Sequence, residues 1–209
     1  MKTIKSTFLL VLAFLVLALP STYSFSATTS YENVLSKHFQ SHFEKAKLGD
    51  SEAQYELGLC YFYGWGVKQN YTEAFKWFRE AAEKGHLGAQ NCLGFAYEHG
   101  LGVKQSDTEA FKWYKKAAEA GFAKAMFNLG ILYENGRGVK QSYTEAFKWF
   151  REAAVRGEID ALQAIGKCYM DGKGVRQSYS KAKEYFGLAC DKGDDLSCDW
   201  YAKLNKKGY

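Results

Sequence analysis

The chain has 209 residues, 47% of them hydrophobic and 17% aromatic, and carries a net charge of +5. That length and apolar share are enough for a sizeable core. The charge is mild, and lysines and arginines are mixed with glutamates along the chain. The long single-sign stripe of a nucleic-acid binder is absent, so nucleic acid is not an expected partner.

The first 26 residues read as a targeting segment. Lys2 and Lys5 precede an apolar run from Phe8 to Leu19, which Pro20 ends, and a stretch of small polar residues follows from Ser21 to Ala27. This order predicts a secretory signal peptide over residues 1–26, cleaved after Ser26 with Ser24 and Ser26 at the restrictive positions. An uncleaved anchor is the alternative, but the run is shorter than the about 20 residues of a comfortable span. No cysteine follows closely, which argues against a lipid anchor. The segment carries two lysines and no acid, so the remaining chain has a net charge of +3. The expected location is periplasmic or secreted, without a membrane role after cleavage.

Residues 27–50 form an N-terminal capping helix with its helical stretch from Tyr31 to Leu48. His38 and His42 stand four residues apart on it. A zinc site wants three or four ligands and no third is apparent, so these two read as packed or solvated side chains. No metal or cofactor is expected.

From residue 51 the chain repeats itself. GWGVKQ, GLGVKQ, GRGVKQ and GKGVRQ begin at Gly64, Gly100, Gly136 and Gly172, 36 residues apart. Before each loop, Ala, Leu (Ile in the fourth copy), Gly and Tyr recur at fixed spacing: Ala53, Leu57, Gly58 and Tyr61 open the series, and Ala161, Ile165, Gly166 and Tyr169 close it. After each loop come TEAFKWFREAAEKG, TEAFKWYKKAAEAG, TEAFKWFREAAVRG and SKAKEYFGLACDKG. Both segments have the spacing of amphipathic helices. Each unit is thus two short helices that bury their faces only against stacked neighbours.

Gly64 and its equivalents sit where a left-handed residue ends a helix, and glycine takes that conformation without steric cost. The next helix has a start signal: Ser106 with Glu109 and Ser142 with Glu145 match the capping box, and Asn70 with Glu73 resembles it. A phosphate-cradling loop would follow a strand and lead directly into a helix. Here it follows a helix, so Gly-x-Gly reads as a turn. Ser178 and Lys181 have the Ser-x-x-Lys spacing of penicillin-binding enzymes, but no Lys-Thr-Gly or Ser-Asp-Asn accompanies them. Ser178 is in register with Ser142 and reads as a cap. No catalytic residue is assigned.

The pattern Ala-x3-Leu-Gly-x2-Tyr-x2-Gly-x-Gly-Val-x-Gln, followed by Ala-x2-Trp-(Phe/Tyr)-x2-Ala-Ala-x2-Gly, resembles the Sel-one-like repeat (SLR), a relative of the tetratricopeptide repeat. It delimits four units, 51–86, 87–122, 123–158 and 159–193, preceded by a degenerate half unit and followed by a C-terminal capping helix over 194–209. The resemblance implies an all-α, right-handed α/α superhelical solenoid with a concave surface, and scaffold or adaptor work on a protein or peptide. Two alternatives stand beside it. A cysteine-rich branch of the family implies β-lactam or peptidoglycan-fragment binding or hydrolysis. Exported members that contact host proteins imply a secreted factor.

By analogy with tetratricopeptide packing, the first helices line the concave face. Its exposed positions are expected to include Tyr55, Leu59, Phe62 and Tyr63 in unit one, Asn91, Phe95, Glu98 and His99 in unit two, Phe127, Ile131 and Glu134 in unit three, and Lys167 and Met170 in unit four. So many large apolar groups predict a groove for apolar anchors, unless curvature or the N-terminal helix buries them. The cysteine-rich branch also implies a disulfide between Cys190 and Cys198. Cys60 and Cys168 occupy one helix position three units apart, too far to pair, and read as core residues. Cys92 has Cys60 in the adjacent unit as a possible partner. One of the five cysteines stays free or pairs between chains.

Overall fold

The structure, a computed structural model of the chain, describes residues 24–209, with side chains from Asn33 onward. Ten helices and no strand occur among the described residues. They are α1 (Ser24–Lys47), α2 (Ser51–Tyr63), α3 (Tyr71–Glu83), α4 (Leu87–His99), α5 (Asp107–Glu119), α6 (Ala123–Asn135), α7 (Tyr143–Val155), α8 (Ile159–Asp171), α9 (Tyr179–Cys190) and α10 (Asp195–Lys206). Each helix packs mainly on the one before and the one after, which makes the chain an all-α solenoid of helix–turn–helix units. The expected signal peptide lies almost wholly outside the described residues. Its expected cleavage point, after Ser26, falls at the start of α1.

The recurring hexapeptide divides its work by position. The first glycine (Gly64, Gly100, Gly136, Gly172) is left-handed, with φ of 77°, 68°, 67° and 69°. Its N–H closes the preceding helix; Gly64 donates to the Cys60 carbonyl at 2.8 Å. The second glycine is also left-handed, and it meets the unit before. A Cβ on Gly102 would stand 2.1 Å from the Tyr71 carbonyl oxygen, at the start of α3. Gly138 meets Asp107, Gly174 meets Tyr143 and Gly66 meets Leu35 in the same way. The glutamine reaches back: Gln69, Gln105, Gln141 and Gln177 donate from Nε2 to the carbonyls of Phe62, Glu98, Glu134 and Met170, at 2.7–2.9 Å. These carbonyls lie in the last turn of each first helix and lack helical partners.

The caps differ in one respect from the capping box. Asn70, Ser106, Ser142 and Ser178 do accept from the helix N-termini. Their own backbone N–H groups donate to the carbonyls of Tyr61, Tyr97, Tyr133 and Tyr169, at 2.8–2.9 Å. Glu73, Glu109 and Glu145 therefore pair with Lys76, Lys112 and Lys148, each at 2.6 Å.

Inside a unit, an aromatic ring of the second helix lies on a glycine of the first. A Cβ on Gly94 would come within 2.5 Å of the Tyr114 ring, and Gly58, Gly130 and Gly166 meet Phe78, Phe150 and Phe186 likewise. Between units, an edge-to-face pair recurs: Phe75–Tyr97, Phe111–Tyr133 and Phe147–Tyr169, with centroids 5.3–5.5 Å apart. Phe39 of α1 makes the same pair with Tyr61, at 5.5 Å. With the Leu35–Gly66 contact, this places residues 35–47 as the second helix of a preceding unit. α1 does not fold across the first helices.

Candidate binding face

The first helices lie side by side. Asn128 of α6 donates to Asn91 of α4 at 3.0 Å, and Lys124 of α6 pairs with Asp160 of α8 at 2.6 Å. Of the thirteen residues expected on this face, Phe62 and Asn91 line a cavity described below, and the other eleven divide into three groups.

Some of them are partly core. Leu59 is 9% exposed and belongs to the same buried cluster as Phe75, Phe78 and Leu93. Tyr55 stacks under His86, with centroids 4.4 Å apart, and burial pushes its phenol well above the usual range. Phe127 is half-buried against Phe150, with Lys124 Nζ 5.0 Å over its ring, and Ile131 packs against the buried cluster that holds Phe147 and Ile165. Their side chains reach inward between helices, so an apolar stripe here serves the core as well as the surface.

Glu98 is tied up. It accepts from the hydroxyl of fully buried Tyr114 at 2.8 Å and from Arg137 at 2.6 Å. Arg137 also holds Asp107 at 2.7 Å. Glu98 is therefore a link between units, a correction to its expected place as an exposed residue of the concave face. Arg137 stands at the middle position of the third Gly-x-Gly, and nothing local in the sequence flags it as the partner of a glutamate one unit earlier.

The rest stay accessible. Tyr63 is 50% exposed and Phe95 38% exposed. His99 is exposed, tilted on Phe95 with centroids 4.1 Å apart, and Lys167 is exposed beside Gln163. Glu134 and Met170 are half-buried and offer their carbonyls to the loop glutamines.

Between α2 and α4 these side chains enclose a cavity of about 210 Å³. Leu59, Phe62, Tyr63, Asn91 and Phe95 line it, joined by Phe78 from α3 and Cys92 from α4. Phe62 is its hub, 6.2 Å from Phe95 and 4.9 Å from Tyr63 in edge-to-face arrangements. Tyr63 in turn stacks on Trp65 of the first loop at 4.7 Å. Cys92 and Phe78 were not among the expected face residues; their positions hold different residue types from unit to unit or read as plain core.

Cys190 and Cys198 form a disulfide, with Cα atoms 4.7 Å apart, joining α9 to α10. Cys60, Cys92 and Cys168 are free thiols. Cys60 turns away from Cys92 toward His38, its sulfur 3.8 Å from Nδ1, so the two cysteines do not pair. Burial pushes each of these thiols up to about 12. His38 and His42 face each other with centroids 4.4 Å apart, and no set of three His, Cys, Asp or Glu among the described residues is arranged to hold a metal. Ser178 Oγ accepts from the Lys181 N–H at 3.3 Å, and the Lys181 amine lies 5.3 Å over the Tyr169 ring. The pair is a helix cap and a cation–π contact.

The Sel1 repeat model matches four segments, 51–86, 88–122, 123–157 and 159–194, which together make up more than half of the chain. The chain belongs to the Sel1 repeat family. Sel1 repeats typically serve as protein–protein interaction scaffolds and are generally non-catalytic. Similar solved structures include c5321, a protective antigen of uropathogenic Escherichia coli with an SLR fold (39% identity, TM-score 0.78, 81% of this chain and 36% of that one). A Sel1 repeat protein of Oxalobacter formigenes follows (29% identity, TM-score 0.77, 83% and 69%). Cysteine rich protein B of Helicobacter pylori covers 64% of this chain and 96% of its own (25% identity, TM-score 0.50). The chain spans about a third of the length of c5321. No curated protein matches it.

Proposed function

We propose that this Sel1 repeat chain is an exported adaptor that binds a protein or peptide on its concave, first-helix face. One observation carries the reading. The second helices of units one and three are identical over eleven residues, TEAFKWFREAA at 72–82 and 144–154, lysines and glutamates included. The first helices of the same two units, SEAQYELGLCYFY and AKAMFNLGILYEN, share only Ala, Leu, Gly and Tyr. Packing explains what they share. It does not explain why divergence is concentrated on one of two stacked surfaces. A surface shaped to a particular partner explains it.

The test compares the wild-type chain with Phe95→Ser in affinity capture from a bacterial envelope extract. Phe95 suits this better than Phe127, which is held against Phe150. The expected result is a captured protein lost at least tenfold with the variant, whose melting is unchanged. Equal capture moves the site off this face. Export is supported by the apolar leader and by the Cys190–Cys198 disulfide, a bond that persists in oxidising compartments. No helix among the described residues is long and apolar enough to cross a membrane. Mass spectrometry of the protein from a cell envelope fraction is expected to find Ala27 at the N-terminus; Met1 retained there would refute cleavage.

The 39% likeness to a protective antigen of uropathogenic strains favours a second reading, in which the partner is a host protein. Capture from host-cell extract but not from envelope extract would select it.

A further inference from the structure

We infer that the cavity between α2 and α4 is an anchor pocket for one aromatic side chain of an extended partner peptide, an inference that rests on the first-helix face being the binding face. Size decides against a whole small ligand. Sites for such molecules run to about 300–1,000 Å³. A cavity of about 150 Å³ lined by apolar side chains already accepts benzene. At about 210 Å³ the cavity takes one ring and its methylene, and not two.

The lining decides the chemistry. Four of its seven residues are aromatic, and none is charged. The nearby carboxylate, Glu98, is committed to Tyr114 and Arg137. A charged guest would lose its water with nothing to replace it. A ring meets the edge-to-face set that Phe62 makes with Phe95 and Tyr63, in the geometry aromatic groups favour. Cys92 adds a polarisable sulfur that stays protonated, since burial raises its thiol.

One polar group fixes the guest's direction. Asn91 lines the cavity, and its Oδ1 accepts from Asn128. Its own amide N–H groups have no acceptor among the described residues, and they suit a backbone carbonyl of the guest. That contact selects a peptide over a free hydrocarbon. Tyr63 and Phe95, the exposed members, form the mouth.

The experiment titrates the isotope-labelled protein with the blocked pentapeptides acetyl-Gly-Gly-X-Gly-Gly-amide, where X is Phe, Ala or Lys, and follows backbone resonances. With X as Phe, shifts are expected at Leu59, Tyr63, Asn91 and Phe95. Burial of one ring makes that peptide bind at least about tenfold more tightly than the alanine peptide. The lysine peptide is expected to match alanine. Cys92→Leu fills the cavity and is expected to abolish the preference. If that variant does not fold, Tyr63→Ala, a change at a half-exposed site, is expected to weaken the Phe peptide at least threefold. Equal binding of the Phe and Ala peptides, or a preference that survives filling or trimming the pocket, overturns the proposal. The two readings fail separately. Partner capture that depends on Phe95, without Phe-peptide binding, refutes the pocket and leaves the face. Phe-peptide binding with capture indifferent to Phe95 supports the pocket and moves the captured partner's site off this face.

Discussion

Gly102 shows how much one missing side chain can decide. Gly85 and Gly102 share a left-handed backbone but differ in surroundings. Gly85 has φ of 89° and open space around it, so Gly85→Ala meets only the left-handed penalty, roughly 1–2 kcal/mol. Gly102 has φ of 70°, and an added methyl would push on the backbone of Tyr71 and Thr72. Gly102→Ala is expected to cost about 2 kcal/mol more, on the scale of overpacked sites. Urea midpoints at 25 °C measure the difference; equal losses would show that the units do not touch there. The sequence marked the first glycine of each pair clearly, because a helix end is a local event. It hid the role of the second. The atoms that exclude a side chain there lie in the preceding unit, beyond the reach of any local pattern. The loop glutamines were equally hard to read: their targets are carbonyls, which every residue has.

At the scale of helices, two kinds of link hold neighbours together, and both give testable losses. The first is Arg137 between Glu98 and Asp107, with Tyr114 donating to Glu98 from below. Tyr114→Phe removes a hydrogen bond to a charged acceptor in a buried place. It is expected to cost about 1.5–3 kcal/mol in chemical denaturation. A loss below about 0.5 kcal/mol would mean that water serves Glu98 equally well. The second link is the disulfide. It closes a short loop, spanning a sequence separation of 8, and its reduction is expected to cost about 2–3 kcal/mol on chain-entropy grounds. Because each unit touches only its neighbours, the loss should appear in α9 and α10. Hydrogen exchange after mild reduction is expected to accelerate over 195–206 and stay constant over α2–α7. Uniform acceleration would make the solenoid a single cooperative block. Helix positions were legible here because periodicity and caps agree. The glutamates were misread as capping-box partners, because the competing acceptors for the cap N–H groups, the carbonyls of Tyr61, Tyr97 and Tyr133, become visible only when the helices pack.

Seen whole, the solenoid treats its N-terminal end differently from its interior. Units one to four place Ala74, Phe78 and Ala81, and their counterparts at 36-residue steps, against their own first helix. In α1 the same three positions hold His38, His42 and Lys45. The face that elsewhere meets a partner helix is polar here. The repeat itself was plain in the sequence. The half unit before it was legible too, because Phe39, Ala46 and Gly49 still follow the pattern, although three marker positions had changed character. The exchange makes this end sensitive to pH. Burial holds both histidines below their ordinary value of 6.5; for His42 the neighbouring His38 and Lys45 lower it further, against Asp50 and Glu52. His42 Nδ1 is buried without a partner among the described residues. Well above pH 6.5 the histidines are neutral in folded and unfolded chains alike, and nothing is lost. Below it the unfolded chain takes protons that the folded one refuses, so stability falls with pH. Burial raises the Glu56 carboxyl, which acts in the opposite sense nearer the carboxylate range. The melting temperature is therefore expected to drop between pH 7.5 and 5.5. His38→Ala with His42→Phe restores the residues of unit one and should flatten that drop while leaving Glu56 in place. An equal drop in the variant would place the pH sensitivity elsewhere in the solenoid.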